Sequence, residues 1–125
     1  MTLEQVLAQV DEMKPNLMSR SMKIDLINQI EGIIHDEVIM THEHTAEQEA
    51  APEYDDDTDG STELLVPAPD HKLYVYWLIA EIDHQNMEYD KENNDRLRFQ
   101  NAYDNYTDRY TRHHMPITKC RELML

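Results

Sequence analysis

Basic side chains are scarce in this chain: 11 Lys and Arg stand against 26 Asp and Glu in 125 residues, a formal charge of −15. Such a surface repels phosphate backbones and anionic headgroups, which argues against ordinary nucleic-acid binding and peripheral membrane binding. Glycine occurs only twice, so no glycine-rich phosphate cradle is available. The single cysteine, Cys120, cannot close an intramolecular disulfide, implying a reducing compartment or a scaffold without bridges. No apolar run approaches the roughly 18 to 20 residues of a bilayer span. The longest, Leu73 to Ala80, has eight. The opening Met1-Thr2-Leu3-Glu4 lacks the basic region and apolar run of a secretory leader.

The acids are unevenly spread. Residues 1–70 hold 17 acids and 3 bases, whereas residues 71–125 hold 9 acids and 8 bases. Residues 41–63 alone supply nine (Glu43, Glu47, Glu49, Glu53, Asp55, Asp56, Asp57, Asp59, Glu63) with no Lys or Arg between them. One segment carries most of the excess.

Hydrophobic spacing predicts four helices. Thr2 and Gln5 fit a capping box ahead of Leu3, Val6, Leu7 and Val10, and Lys14-Pro15-Asn16 stops that helix. Ser19 or Ser21 caps a second helix through Ile24, Ile27, Ile30, Ile34 and Val38 to about Thr41, apolar enough late on to meet two neighbours. Asp70 is the expected N-cap of a third helix, about 70–90, apolar around most of its circumference. Asn93-Asn94-Asp95 reads as a turn and new cap. A fourth helix then carries Phe99, Tyr103, Tyr106 and Tyr110 on one stripe, read as core against the third helix, and ends at His113, His114 and Pro116. Between the helix pairs, Asp59-Gly60 predicts a β-hairpin of two short strands, about 53–58 and 61–66, with 42–52 as a loop. The expected fold is mainly α: one four-helix domain over 1–116 with an acidic hairpin insertion at about 42–66, and a C-terminal tail, 117–125.

Three chemical patterns give way to plainer readings. Asp55, Asp57, Asp59 and Gly60 match the start of a calcium-binding EF-hand loop, but its twelfth position, a bidentate Glu, is Val66. His35-Asp36, His42-Glu43-His44 and His113-His114 lack the i, i+4 pairing of a zinc site and read as surface histidines. Cys120 beside Lys119 and Arg121 has no glycine-bearing turn to supply an oxyanion site. No enzyme, metal or cofactor is expected.

Three blocks carry a resemblance: Val10-Asp11-Glu12-Met13-Lys14-Pro15-Asn16 with Lys23-Ile24; Leu64 through Asp70 running into Leu73-Tyr74-Val75-Tyr76-Trp77-Leu78; and Ile82-Asp83, Glu88-Tyr89, Asn93-Asn94, Phe99-Gln100, Tyr106 and Arg112-His113. They resemble small proteins of the structural gene clusters of tailed bacteriophages and prophages of Gram-positive hosts, and the element order looks like the phage head-tail adaptor, or head-completion, family. That resemblance implies a noncatalytic virion protein, in the host cytoplasm before assembly. It would form a ring, usually of twelve copies, beneath the portal protein. The ring would extend the DNA channel and dock the next neck or tail component.

Charge is consistent with such a role, because an acid-lined channel passes DNA without binding it. Glu53, Asp55, Asp56, Asp57 and Asp59 are the expected channel residues. The nearly neutral second half offers Tyr106, Arg109, Tyr110, Arg112, Met115, Ile117, Leu123, Met124 and Leu125 as interface residues, Tyr and Arg being favoured at such surfaces. The alternatives are an acidic inhibitor that mimics DNA and a calcium- or zinc-dependent enzyme or sensor.

Overall fold

The computed structural model describes residues 1–117, and the expected interface residues Leu123, Met124 and Leu125, with Cys120, lie outside them. Four helices follow in order: α1 (Leu3–Met13), α2 (Arg20–Ile34), α3 (Lys72–Gln85) and α4 (Tyr89–His113). The mainly α fold is as the sequence implies.

Local chemistry sets the first two helices. Thr2 and Gln5 form the capping box of α1, and Ser19 accepts the Met22 N–H at 3.2 Å at the start of α2. Both caps satisfy amide groups that the first helical turn leaves without partners. α2 runs on into a π-helical turn, His35–Ile39, closed by the Met40 N–H on the His35 carbonyl at 2.9 Å. α3 is the central element. Leu73, Tyr74, Val75, Leu78, Ile79 and Ile82 on it are buried, against Leu3, Val6 and Val10 of α1 and Ile24, Ile27, Ile30 and Ile34 of α2. α4 is polar except for its aromatic stripe, which packs onto the core: Trp77 meets Phe99 at 5.1 Å between ring centroids, and Tyr106 is buried.

Several boundaries differ from expectation, each for a tertiary reason. α3 ends at Gln85 because the chain closes a Schellman motif, with Glu88 N–H on the Asp83 carbonyl (2.9 Å) and Met87 N–H on that of His84 (3.1 Å). Met87 takes the left-handed position, at φ 59°. α4 begins at Tyr89, so Asn93, Asn94 and Asp95 are helical rather than a turn. Asp70 does not cap α3, because Arg109 of α4 holds its carboxylate at 2.9 Å.

The expected hairpin is also corrected: no strand forms among the described residues. Two tight turns, closed by Thr58 N–H on the Asp55 carbonyl and Thr62 N–H on that of Asp59, replace it. Residues 60–64 pair instead with the head of α1, through Glu4 N–H to the Gly60 carbonyl, Leu3 N–H to Thr62 and Leu64 N–H to Met1, all at 3.0–3.1 Å. Glycine is needed at position 60 because a Cβ would stand 2.9 Å from the Glu4 carboxylate and 3.0 Å from its Cβ. Thr45 caps a 3-10 turn, Ala46–Glu49, in the stretch expected as a loop.

Candidate functional site

The acidic segment is seated on the helical body rather than projecting from it. Asn28 of α2 acts like one residue of a partner strand: its Nδ2 donates to the Tyr54 carbonyl and its Oδ1 accepts the Tyr54 N–H, both at 2.9 Å. Tyr54 is buried and its hydroxyl donates to Glu31 at 2.9 Å. From this anchor Glu53, Asp55, Asp56, Asp57 and Asp59 all face solvent. Their oxygens partly serve the local turns: Asp55 Oδ1 accepts from Asp57 N–H and the Thr58 hydroxyl, and Asp59 Oδ1 from Ser61 N–H and its hydroxyl. Asp56 accepts from Ser21 at 2.6 Å, tying the segment to the first turn of α2. The Ser61 bonds hold the Asp59 carboxyl below the usual carboxylate range.

Glu31 is the buried junction behind this segment. Fully enclosed, it accepts from Tyr54, from Leu65 N–H at 3.1 Å and from the Tyr74 hydroxyl, which itself accepts Val66 N–H at 2.9 Å. α2, the acidic segment, the 64–66 chain and α3 thus meet on one carboxyl group. Burial pushes its pKa up, against the hydrogen bonds that favour the charged form.

The interface residues expected on α4 form a cleft at its last turns. Leu65, Pro67, Tyr106, Arg109, Tyr110 and the two histidines 113 and 114 are among the residues that line about 230 Å³, mostly apolar. Tyr106 contributes from within the core and is not a surface residue. Tyr110 stacks on His114 at 3.8 Å, meets the edge of His42 at 5.2 Å, and its buried hydroxyl has no hydrogen-bond partner among the described residues. Burial raises its pKa. Arg112 and Met115 are exposed, whereas Ile117 is half-buried and its N–H donates to the Thr41 carbonyl at 3.2 Å.

Two histidines expected at the surface are buried. His35 Nε2 lies 2.6 Å from the Gln48 carbonyl, and His42 bridges the Val38 carbonyl (2.7 Å) and the Thr111 hydroxyl (3.0 Å). Both tie the 42–52 stretch to the helices.

A second charged cluster has no counterpart in the sequence reading. The Lys14 ammonium, just past α1, binds both Asp83 of α3 and Glu88 of the α3–α4 turn. Asp83 is fully buried and its Oδ2 has no protein donor, unless the neighbouring Asp95 carboxyl supplies a proton. Burial, then the hydrogen bond and charge of Asp83, push Asp95 up to about 6. These groups border an open cleft of about 510 Å³ with Lys91, Asn94 and Arg98. Only the fold joins Lys14, Asp83 and Asp95, so spacing along the chain carries no signal for them.

Comparison with known proteins finds no matching family model, no matching curated protein and no matching solved structure.

Proposed function

We propose that this chain is a noncatalytic structural subunit of a tailed-phage neck: a head-tail adaptor that assembles as a homo-oligomeric ring under the portal, extends the DNA channel and docks the next neck or tail component. The observation that carries the reading is the seating of residues 53–59. Five exposed carboxylates, with no Lys or Arg among them, stand on a helical body that holds their backbone at Asn28 and Met1–Glu4. A fixed acidic surface facing a lumen lets duplex DNA slide past, since it neutralises no phosphates and releases no counterions. The tyrosine cleft and Arg112 at the end of α4 have the composition of a subunit contact.

The test is to tag the chain, isolate portal-bearing particles from the cell that makes them, and image them by cryo-electron microscopy. A ring of density at the portal vertex that carries the label is expected, and portal vertices without it overturn the reading.

The same seating also favours a second reading. A DNA-mimicking inhibitor needs carboxylates fixed in space, and these are more fixed than a free loop would be. Stoichiometric capture of a DNA-cleaving enzyme, released by added duplex DNA, would support the inhibitor instead of the adaptor.

A further inference from the structure

The α3–α4 turn is closed by a residue of the wrong type for its conformation. A Schellman motif places glycine at its left-handed position because an L side chain is strained there, yet Met87 occupies it with its side chain 75% exposed. A strained residue that persists at an exposed position points to a use for its side chain. Lys14 ties the α1–α2 loop to this turn, and in that loop Leu17 is completely exposed. Leu17, Met22 and Asn86 border one groove of about 260 Å³. Met13 and Tyr89, each 55% exposed, extend the patch. Flexible thioethers around a protruding leucine make an adaptable apolar knob.

The opposite end of the α3–α4 hairpin carries the complementary shape. There the tyrosine cleft is apolar, open, and holds the unpartnered Tyr110 hydroxyl. The charges match as well. Among the described residues, Lys72 and Arg112 are the two Lys or Arg side chains without a carboxylate in ion-pair reach. They sit in the first turn of α3 and the last turn of α4, beside the cleft. Exposed Glu12, Asp25 and Asp90, equally without a basic partner among the described residues, flank the knob.

We propose that the Leu17–Met87 knob of one copy inserts into the Tyr106–Tyr110 cleft of a second copy. Knob and cleft lie on different surfaces, so the contact is heterologous and repeats head to tail, generating a ring where the rotation closes. This contact rests on the ring reading above. The Tyr110 hydroxyl gains an acceptor among the backbone carbonyls of the entering loop, and Arg112 and Lys72 face the acids around the knob.

Two measurements test it on the full chain. Sedimentation velocity compares wild type with Leu17→Asp and Met87→Gly. Leu17→Asp keeps its circular dichroism, since Leu17 touches nothing, and self-associates about tenfold to a hundredfold more weakly. Met87→Gly raises the melting temperature by removing strain while weakening association, a pair of effects that a purely structural methionine would not produce. In a Cys120→Ser background, Leu17→Cys in one copy and His113→Cys in another are expected to form an intermolecular disulfide under mild oxidation. Rings that form without this cross-link, or with Leu17→Asp as strong as wild type, overturn the contact and leave the ring reading standing. A chain that stays monomeric at every concentration and on portal-bearing particles overturns both.

Discussion

Replacing Asp95 by asparagine should make the protein more stable at pH 8 and leave it unchanged at pH 4. Asp95 sits 8% exposed beside the fully buried Asp83, whose Oδ2 lacks any other donor. One proton between the two carboxyls satisfies that oxygen and removes the repulsion, which is why Asp95 holds its proton up to about 6 against an ordinary 3.8. At about 1.4 kcal/mol per unit, that difference corresponds to about 3 kcal/mol. The sign follows from the raised value. Stability from this proton is fully present below pH 3.8, and is lost as pH rises through 6. An asparagine amide donates to Asp83 at every pH, so Asp95→Asn keeps the protonated-state stability. Urea unfolding at pH 4, 6 and 8 measures it, with the gap between variant and wild type growing to about 3 kcal/mol at pH 8. Glu31, also raised by burial, adds to the wild-type slope with the same sign but cancels in the difference. A gap that is the same at pH 4 and pH 8, or an Asp95 carboxyl that titrates near 4 by NMR, would refute the shared proton.

Glu31→Ala strands the hydroxyl of Tyr54 and the Leu65 amide in the core, and should cost about 3–5 kcal/mol by thermal or urea unfolding, whereas Glu31→Gln, which keeps an acceptor without the charge, should cost far less. Asn28→Ala removes both bonds to the Tyr54 backbone, so hydrogen exchange at residues 54–58 should speed up by about tenfold or more while the α3 core amides change less. Gly60→Ala forces apart the 2.9 Å approach to Glu4 and should lower stability by about 1–2 kcal/mol, read as a drop in melting temperature. Replacing Glu53 by Gln and Asp55, Asp56, Asp57 and Asp59 by Asn keeps the turn-forming side chains but should give duplex-DNA retention at low salt that the wild type lacks; equal behaviour of the two proteins would remove the acids from any role toward DNA.

What the sequence made legible was local. The Thr2 and Ser19 caps and the α4 stripe depend on neighbours a few residues away, and they stand where spacing put them. Nonlocal partners decided the rest. The Asp59-Gly60 turn exists, but its flanks chose different partners, residues 60–64 the head of α1 and Tyr54 the side chain of Asn28. The apolar pattern ran through Met87 and Tyr89, hiding a helix end that glycine would have announced. Asp70 has an N-cap's chemistry, but Arg109, 39 residues on, took its carboxylate. The tyrosine cleft was half visible: its α4 residues follow from the stripe, while Leu65 and Pro67 arrive from another segment. The Asp83–Asp95–Lys14 cluster was invisible, because three common charged residues become a site only once α1, α3 and α4 pack.

The π-helical turn at His35–Ile39 bears on how this chain tolerates insertion and deletion. Its i→i+5 closure houses one residue more than an α-helical turn would. Removing a single residue there would restore regular α geometry and swing everything after it by about 100°. His42 would then point away from Thr111 and Tyr110, and the path leading to the acidic segment would leave the body on another side. A one-residue deletion in this turn is therefore a heavier change than most substitutions, and length between Ile34 and His42 should be held more strictly than identity.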